Sequence, residues 1–284
     1  MTVAVNRLVN GTIELTITIP WNDIKTTYEQ VVEEFVKEVE LPGFRKGKAP
    51  RKLVEEKLDK SKVYEEVLKQ VVPKNYAEAI KQENLTPIVS PRIEVISFKE
   101  NEVCQFRAQT CEKPQVSLGN YQETISKLKR EKQTKIWVPG KDVKEEKPAE
   151  LGLEEIIKVL LETSQVNLPT LLVEDEVNRM LARLIDQTQK LGLTVEQYLL
   201  AQGKTIEGLK AEYKDQAARN LALEFILEAI ADNEKIQVSD EEIEKVIKSA
   251  KDTKEQEALR AQKYYLATIL RRQKTLDRLA KPIV

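Results

Sequence analysis

Seven residues near the amino end do most to limit what this chain can fold into. Ile13-Glu14-Leu15-Thr16-Ile17-Thr18-Ile19 alternates apolar and polar residues without a break. That is the period of a strand with one face buried and the other in water. Upstream, Val3, Val5, Leu8 and Val9 lead into Asn10-Gly11, the strongest short signal for a two-residue hairpin turn. A β-hairpin is therefore predicted over 3–19, and Pro20 stops it. Asn22 or Asp23 can cap a following helix whose stripe is Ile24, Tyr28, Val31, Val32, Phe35, Val36 and Val39.

That helix should end at Leu41-Pro42-Gly43 and a loop carry the chain to a second helix from Pro50, where a missing N–H costs nothing. Its apolar face runs from Leu53, Val54 and Leu58 to Val71 and Val72, and Pro73 is expected to kink or break it before a shorter piece over 75–83. Two further strands read around 92–98 and 103–110, joined by the turn Lys99-Glu100-Asn101-Glu102. The order β-β-α-α-β-β makes residues 1–112 a self-contained α+β domain.

Beyond it the period changes. Over 113–150 no clear pattern survives, lysines outnumber acids, and Pro139-Gly140 marks a turn. This stretch reads as a basic linker, part extended and part mobile. From 151 to 284 the chain reads as an all-α domain of elongated helical arms. Helices are expected from Asn167 and Pro169 to Lys190, from Thr205 to Ala231 and from Thr253 to Leu279. Capping boxes open a short helix at Thr194-x-x-Gln197 and another at Ser239 with Glu242. A chain of 284 residues with 33% charge, 5% aromatics and 9 glycines suits solvated helices better than a tightly wound α/β enzyme.

Composition also removes whole classes of chemistry. With no histidine there is no imidazole acid, base or metal ligand. Cys104 and Cys111 form no Cys-x-x-Cys pair, so they read as ordinary strand thiols of a reduced compartment and no metal or other cofactor is expected. The amino end shows no apolar signal core, and no run approaches a membrane span. A cytosolic protein without a membrane partner is expected. Net charge is -1, so an electrostatic partner must be met by a local patch.

One such patch exists. From Pro42 to Lys62 there are eight Lys or Arg against three acids. At its head, Gly43-Phe44-Arg45-Lys46-Gly47-Lys48-Ala49-Pro50 offers two glycines that permit a tight turn, one aromatic and three cations. It is no phosphate loop: three residues separate the glycines, and Ala49 stands where a magnesium-holding Ser or Thr is needed. An aromatic flanked by cations is instead suited to plug into an anionic, RNA-rich surface. A solvated basic loop with Phe44 folded back is the plainer alternative.

The eight-residue run resembles the signature of the trigger factor family, bacterial chaperones that associate with the ribosome. The β-β-α-α-β-β order with the loop between two helices is similar as well. So are Asn167-Leu168-Pro169, Arg179-Met180-Leu181, Glu196-Gln197-Tyr198-Leu199, Gly203-Lys204-Thr205 and Val238 to Ile243. The resemblance implies that Gly43, Phe44, Arg45, Lys46, Gly47 and Lys48 dock on large-subunit protein and RNA at the exit tunnel. It also implies an ATP-independent chaperone whose helical cradle holds nascent and unfolded chains, and a homodimer off the ribosome. Tyr264, Tyr265, Leu266, Ile269 and Leu270 are the candidate client surface, and Arg271, Arg272 and Lys274 read as a solvated face.

The departure from the family is the middle. Its prolyl-isomerase domain of the FK506-binding type has no room in the roughly forty residues available, fewer than a core usually needs, and Tyr121 and Trp137 are their only aromatics. No enzyme is expected. The alternatives are an RNA-binding module using the loop and linker, or a holdase working off the ribosome.

Overall fold

The computed structural model describes residues 1–38, 59–134, 151–250 and 252–281. The chain divides into two compact units, Met1–Lys113 with Pro169–Leu172, and Pro114–Leu168 with Val173–Val284.

In the first unit, strand β1 (Thr2–Arg7) pairs antiparallel with β2 (Ile13–Ile19). The pairing runs from Thr2 opposite Thr18 to Arg7 opposite Ile13. Five residues therefore turn the hairpin, where two were expected. The Leu8 carbonyl accepts from Gly11 N–H at 3.0 Å, Asn10 Oδ1 accepts from Thr12 N–H at 3.1 Å, and Gly11 holds φ +76°. Asn-Gly thus supplies the left-handed residue the turn requires, within a wider loop.

Strands β3 (Arg92–Ser97) and β4 (Cys104–Thr110) complete an antiparallel sheet of order β1-β2-β4-β3. Ile13, Leu15, Ile17 and Ile19 share its buried face with Cys104, Phe106 and Ala108. Helices α1 (Trp21–Glu38) and α2 (Lys60–Gln82) cover that face with Ile24, Val31, Val32, Val63, Val67 and Val71. The N-cap of α2 is Asp59, which accepts from Ser61 N–H at 3.1 Å. Val39, Leu53, Val54 and Leu58 of the expected helices lie outside the described residues.

Pro73 does not break α2, contrary to expectation. Proline removes one N–H, and the Asn75 amide donates to the Val71 carbonyl at 2.8 Å, so that acceptor keeps a partner. Val71, Val72 and Ala79 keep both sides of the proline buried in the same core. The burial outweighs the lost bond.

The second unit differs more from expectation. Where a basic linker reads from Lys113, the structure has strand β5 (Val116–Ser117) and helix α3 (Tyr121–Thr134). β5 pairs with β6 (Gln165–Val166), so the unit is not all helix. Tyr121 and Ile125 are buried in one core with Ile156, Leu160, Ile226 and Ile230. Gly119 is required here: a Cβ would lie 2.0 Å from the Thr163 carbonyl oxygen. The remaining linker residues, 135–150, lie outside the described residues.

The rest is helical: α4 (Leu153–Thr163), α5 (Thr170–Lys190), α6 (Val195–Ala201), α7 (Ile206–Asn233), α8 (Asp240–Ser249), α9 (Thr253–Ala261) and α10 (Lys263–Ala280). Both capping boxes form. Thr194 N–H donates to Gln197 Oε1 at 3.0 Å and Gln197 N–H to Thr194 Oγ1 at 3.2 Å; Ser239 and Glu242 exchange bonds of 2.8 and 3.3 Å. The single helix expected over 253–279 is two, broken at Gln262 with φ -108° and ψ 27°.

Candidate functional site

The loop residues Gly43, Phe44, Arg45, Lys46, Gly47 and Lys48 lie outside the described residues. The other candidates do not. Tyr264, Tyr265, Leu266, Ile269 and Leu270 occupy the first turns of α10. Tyr264 is 89% exposed and Tyr265 61%, Ile269 is exposed, and Leu266 and Leu270 are half-buried. Five neighbouring residues thus split between an outward aromatic lip and an inward aliphatic seam, as a 3.6-residue period demands.

α10 is held in place by cations that the sequence reading left to solvent. Arg271 donates from Nε to the Ile236 carbonyl at 2.8 Å and pairs with Asp232 at 2.6 Å. Arg272 pairs with Glu224, and Lys274 donates to the Gln237 carbonyl at 3.0 Å and pairs with Glu242 at 2.7 Å. The Lys274 ammonium and the Ser239 N–H together hold the Glu242 carboxyl below the usual carboxylate range. Lys263 pairs with Asp240 at 2.9 Å, which raises its own pKa. Each exposed pair is worth only about 0–1 kcal/mol. As a set they tie α10 to α7 and α8 in one orientation.

Beside this lip lies a cavity of about 350 Å³, lined on its apolar side by Leu227, Ala231, Ile236, Val238, Tyr264 and Ala267. It is open, with apolar walls, arginines at the rim, and no titrating pair or nucleophile poised across it. Such a groove can hold an apolar side chain; it offers nothing to make or break a bond.

A second exposed apolar group was missed in the sequence. Where α5, α6 and α7 meet, Leu184, Leu199 and Leu209 form a small core. Around it Leu191 is 69% and Leu200 79% exposed, with Leu193, Ile185 and Ile206 also open. The signal was Leu199-Leu200: adjacent helical residues point about 100° apart, so one of them must leave the core. The long apolar runs elsewhere are mostly packing, with Leu171, Leu172, Leu221, Phe225, Ile226 and Ile230 all buried.

Among the described residues, no cluster of acids and cysteines could hold a metal ion and no helix is long and apolar enough to cross a membrane. Cys104 is fully buried and burial pushes its thiol up to about 11.

Comparison with known proteins agrees with the architecture. The family model for bacterial trigger factor protein matches residues 1–147, and that for its C-terminus matches residues 124–281. The two matches overlap, and no prolyl-isomerase model matches the chain. A trigger factor of Carboxydothermus hydrogenoformans is 24% identical over 418 aligned positions, covering 98% of each chain. The alignment is far longer than this chain's 284 residues, so that relative carries a long insertion relative to it. Trigger factors of Natranaerobius thermophilus and Moorella thermoacetica are 34% and 35% identical over 47% and 43% of this chain; those matches span 29% and 27% of the relatives. A solved structure described as "Promiscuous Substrate Recognition in Folding and Assembly Activities of the Trigger Factor Chaperone" superposes with a TM-score of 0.67 at 14% identity, covering 99% of both chains. On the match of both family models across nearly its whole length, the chain belongs to the bacterial trigger factor family.

Proposed function

We propose that this protein is an ATP-independent chaperone that docks at the ribosomal exit tunnel and holds nascent or unfolded chains on its helical unit. The observation that carries the reading is the exposed apolar lip of α10 beside its groove, in a chain whose two halves both match the family. Tyr264, Tyr265 and Ile269, with Leu191 and Leu200 on the other apolar group, would meet clients. Dispersed apolar spots bind many sequences weakly, which suits a holdase better than one deep pocket does.

Docking is assigned to Phe44, Arg45, Lys46 and Lys48 on the flanking glycines, against ribosomal protein and RNA in the cytoplasm. Burying Phe44 supplies about 1.5–3 kcal/mol, and each exposed ion pair about 0.2–1 kcal/mol. The sum falls short of the roughly 8 kcal/mol of a micromolar complex. Binding through this loop is therefore transient and salt-sensitive, and neighbouring contacts assist it. Off the ribosome the chain forms a homodimer. The reading assigns no catalysis, so turnover on a proline peptide should not exceed background.

Co-sedimentation with purified ribosomes tests the docking. The intact chain should pellet and Phe44→Ala/Arg45→Ala/Lys46→Ala should stay in the supernatant. If both pellet equally, the basic residues over 127–147 are the anchor and an RNA-binding reading replaces this one. If neither pellets, the protein works away from the ribosome.

A further inference from the structure

The four-stranded sheet ends in two edges, and they are built differently. β3 carries Arg92 and Glu94 and breaks register between Val95 and Ser97, where an extra residue bulges the strand. Charge and a bulge are the usual means of making an edge unfit for further pairing. β1 has neither over Thr2-Val3-Ala4-Val5-Asn6. Its ladder to β2 is regular across all six residues, and its one charge, Arg7, sits at the end and pairs with Glu112 at 3.0 Å. Among the described residues no strand adjoins the other side of β1.

In an antiparallel ladder every second residue turns its N–H and C=O away from the partner strand. The free side of β1 is thus a row of donors and acceptors at strand spacing, and another extended backbone is what satisfies it. Val5, Leu8 and Val9 are exposed at the same end and give apolar contact to the side chains of an added strand.

We propose that the free edge of β1 takes an extended, uncharged segment of unfolded polypeptide as a fifth strand. The proposal rests on the chaperone reading and deepens it: main-chain hydrogen bonds are the same for every sequence, so the edge adds affinity without selecting clients. Charge favours a client over a second copy. A two-fold pairing of β1 with itself would bring each Arg7 toward the other chain's amino end, where the Met1 ammonium lies 3.6 Å from Asp23.

The test is amide hydrogen exchange of the full chain, with reduced, carboxymethylated α-lactalbumin as an unfolded probe. Saturating probe should slow exchange over residues 2–7 about tenfold or more. Ala4→Lys, an edge charge at an exposed position opposite Thr16, should abolish that slowing while leaving the circular dichroism and melting temperature unchanged. Ala4→Thr, a good strand former, should retain it. Probe binding with no slowing over 2–7, or equal slowing in Ala4→Lys, overturns the strand-addition proposal and leaves the chaperone reading standing. Slowing that appears without probe and grows with protein concentration identifies a second copy as the occupant and also overturns it. Failure to bind the probe at all removes the chaperone reading and this inference with it.

Discussion

Ile125→Ala tests whether the stretch that reads as a basic linker is part of the helical core. Ile125 is 4% exposed and shares a core with Tyr121, Ile156, Leu160 and Ile230. The substitution removes three methylene-sized groups, each worth about 0.8 kcal/mol of burial. The cavity left behind adds to this, which places the cost near 3 kcal/mol within the usual range of about 2–5. Better helix propensity of alanine returns less than about 0.7 kcal/mol. For a unit of this size the loss corresponds to a fall in melting temperature of about 6–12 °C. Urea and thermal unfolding followed by circular dichroism measure it, with exposed Lys127→Ala as a control expected within about 0.5 kcal/mol of the parent. A cost for Ile125→Ala below about 0.5 kcal/mol would show that α3 is not packed as described.

Other outcomes follow from the same geometry. Tyr264→Ser/Tyr265→Ser/Ile269→Ser should lose much of the chain's ability to suppress light scattering by an aggregating unfolded protein. Its stability should change by less than about 0.5 kcal/mol per site, because all three positions are exposed; unchanged suppression would move the client surface elsewhere. Cys104, buried and raised to about 11, should not react with a disulfide reagent at pH 8 in the native protein and should react fully in denaturant. Prompt native labelling of Cys104 would contradict its burial. Glu112 accepts from Thr86 N–H at 2.9 Å and pairs with Arg7, and these two partners lower its pKa. A lowered folded pKa adds stability that is whole above the ordinary glutamate value near 4.3 and is lost as pH falls through the folded value. Glu112→Gln should therefore flatten the acid limb of stability below that pH. An unchanged limb would remove Glu112 from the account.

Much of this was legible residue by residue. The alternation of Ile13 to Ile19 named the buried face of β2, and Thr194 with Gln197 and Ser239 with Glu242 named two helix starts. Each rests on neighbours a few residues apart, so local sequence carries the whole signal. The loop Gly43–Pro50 named the family for a similar reason, since eight adjacent residues hold the resemblance.

The misreadings share one cause. Tyr121, Ile125 and Leu128 do carry a helical period, but the lysines around them outweighed it, and only the partners at Ile156 and Ile230 show why three apolar residues suffice. Pro73 looked like a break because the burial of Val71, Val72 and Ala79 against the sheet is not written nearby. Arg271, Arg272 and Lys274 looked solvated because their carboxylates and carbonyls lie 32 to 48 positions away. β5 and β6 are two residues each and mean little until they meet.

Sequence alone determined the period of each long element, its caps, the absence of histidine chemistry and the family. Tertiary structure decided which apolar residues became core and which became lip, how α10 is held, and which sheet edge was left open. The physical reason is range. Backbone period and capping act over a single turn, whereas burial, ion pairing and strand adjacency depend on groups that only the folded chain brings together.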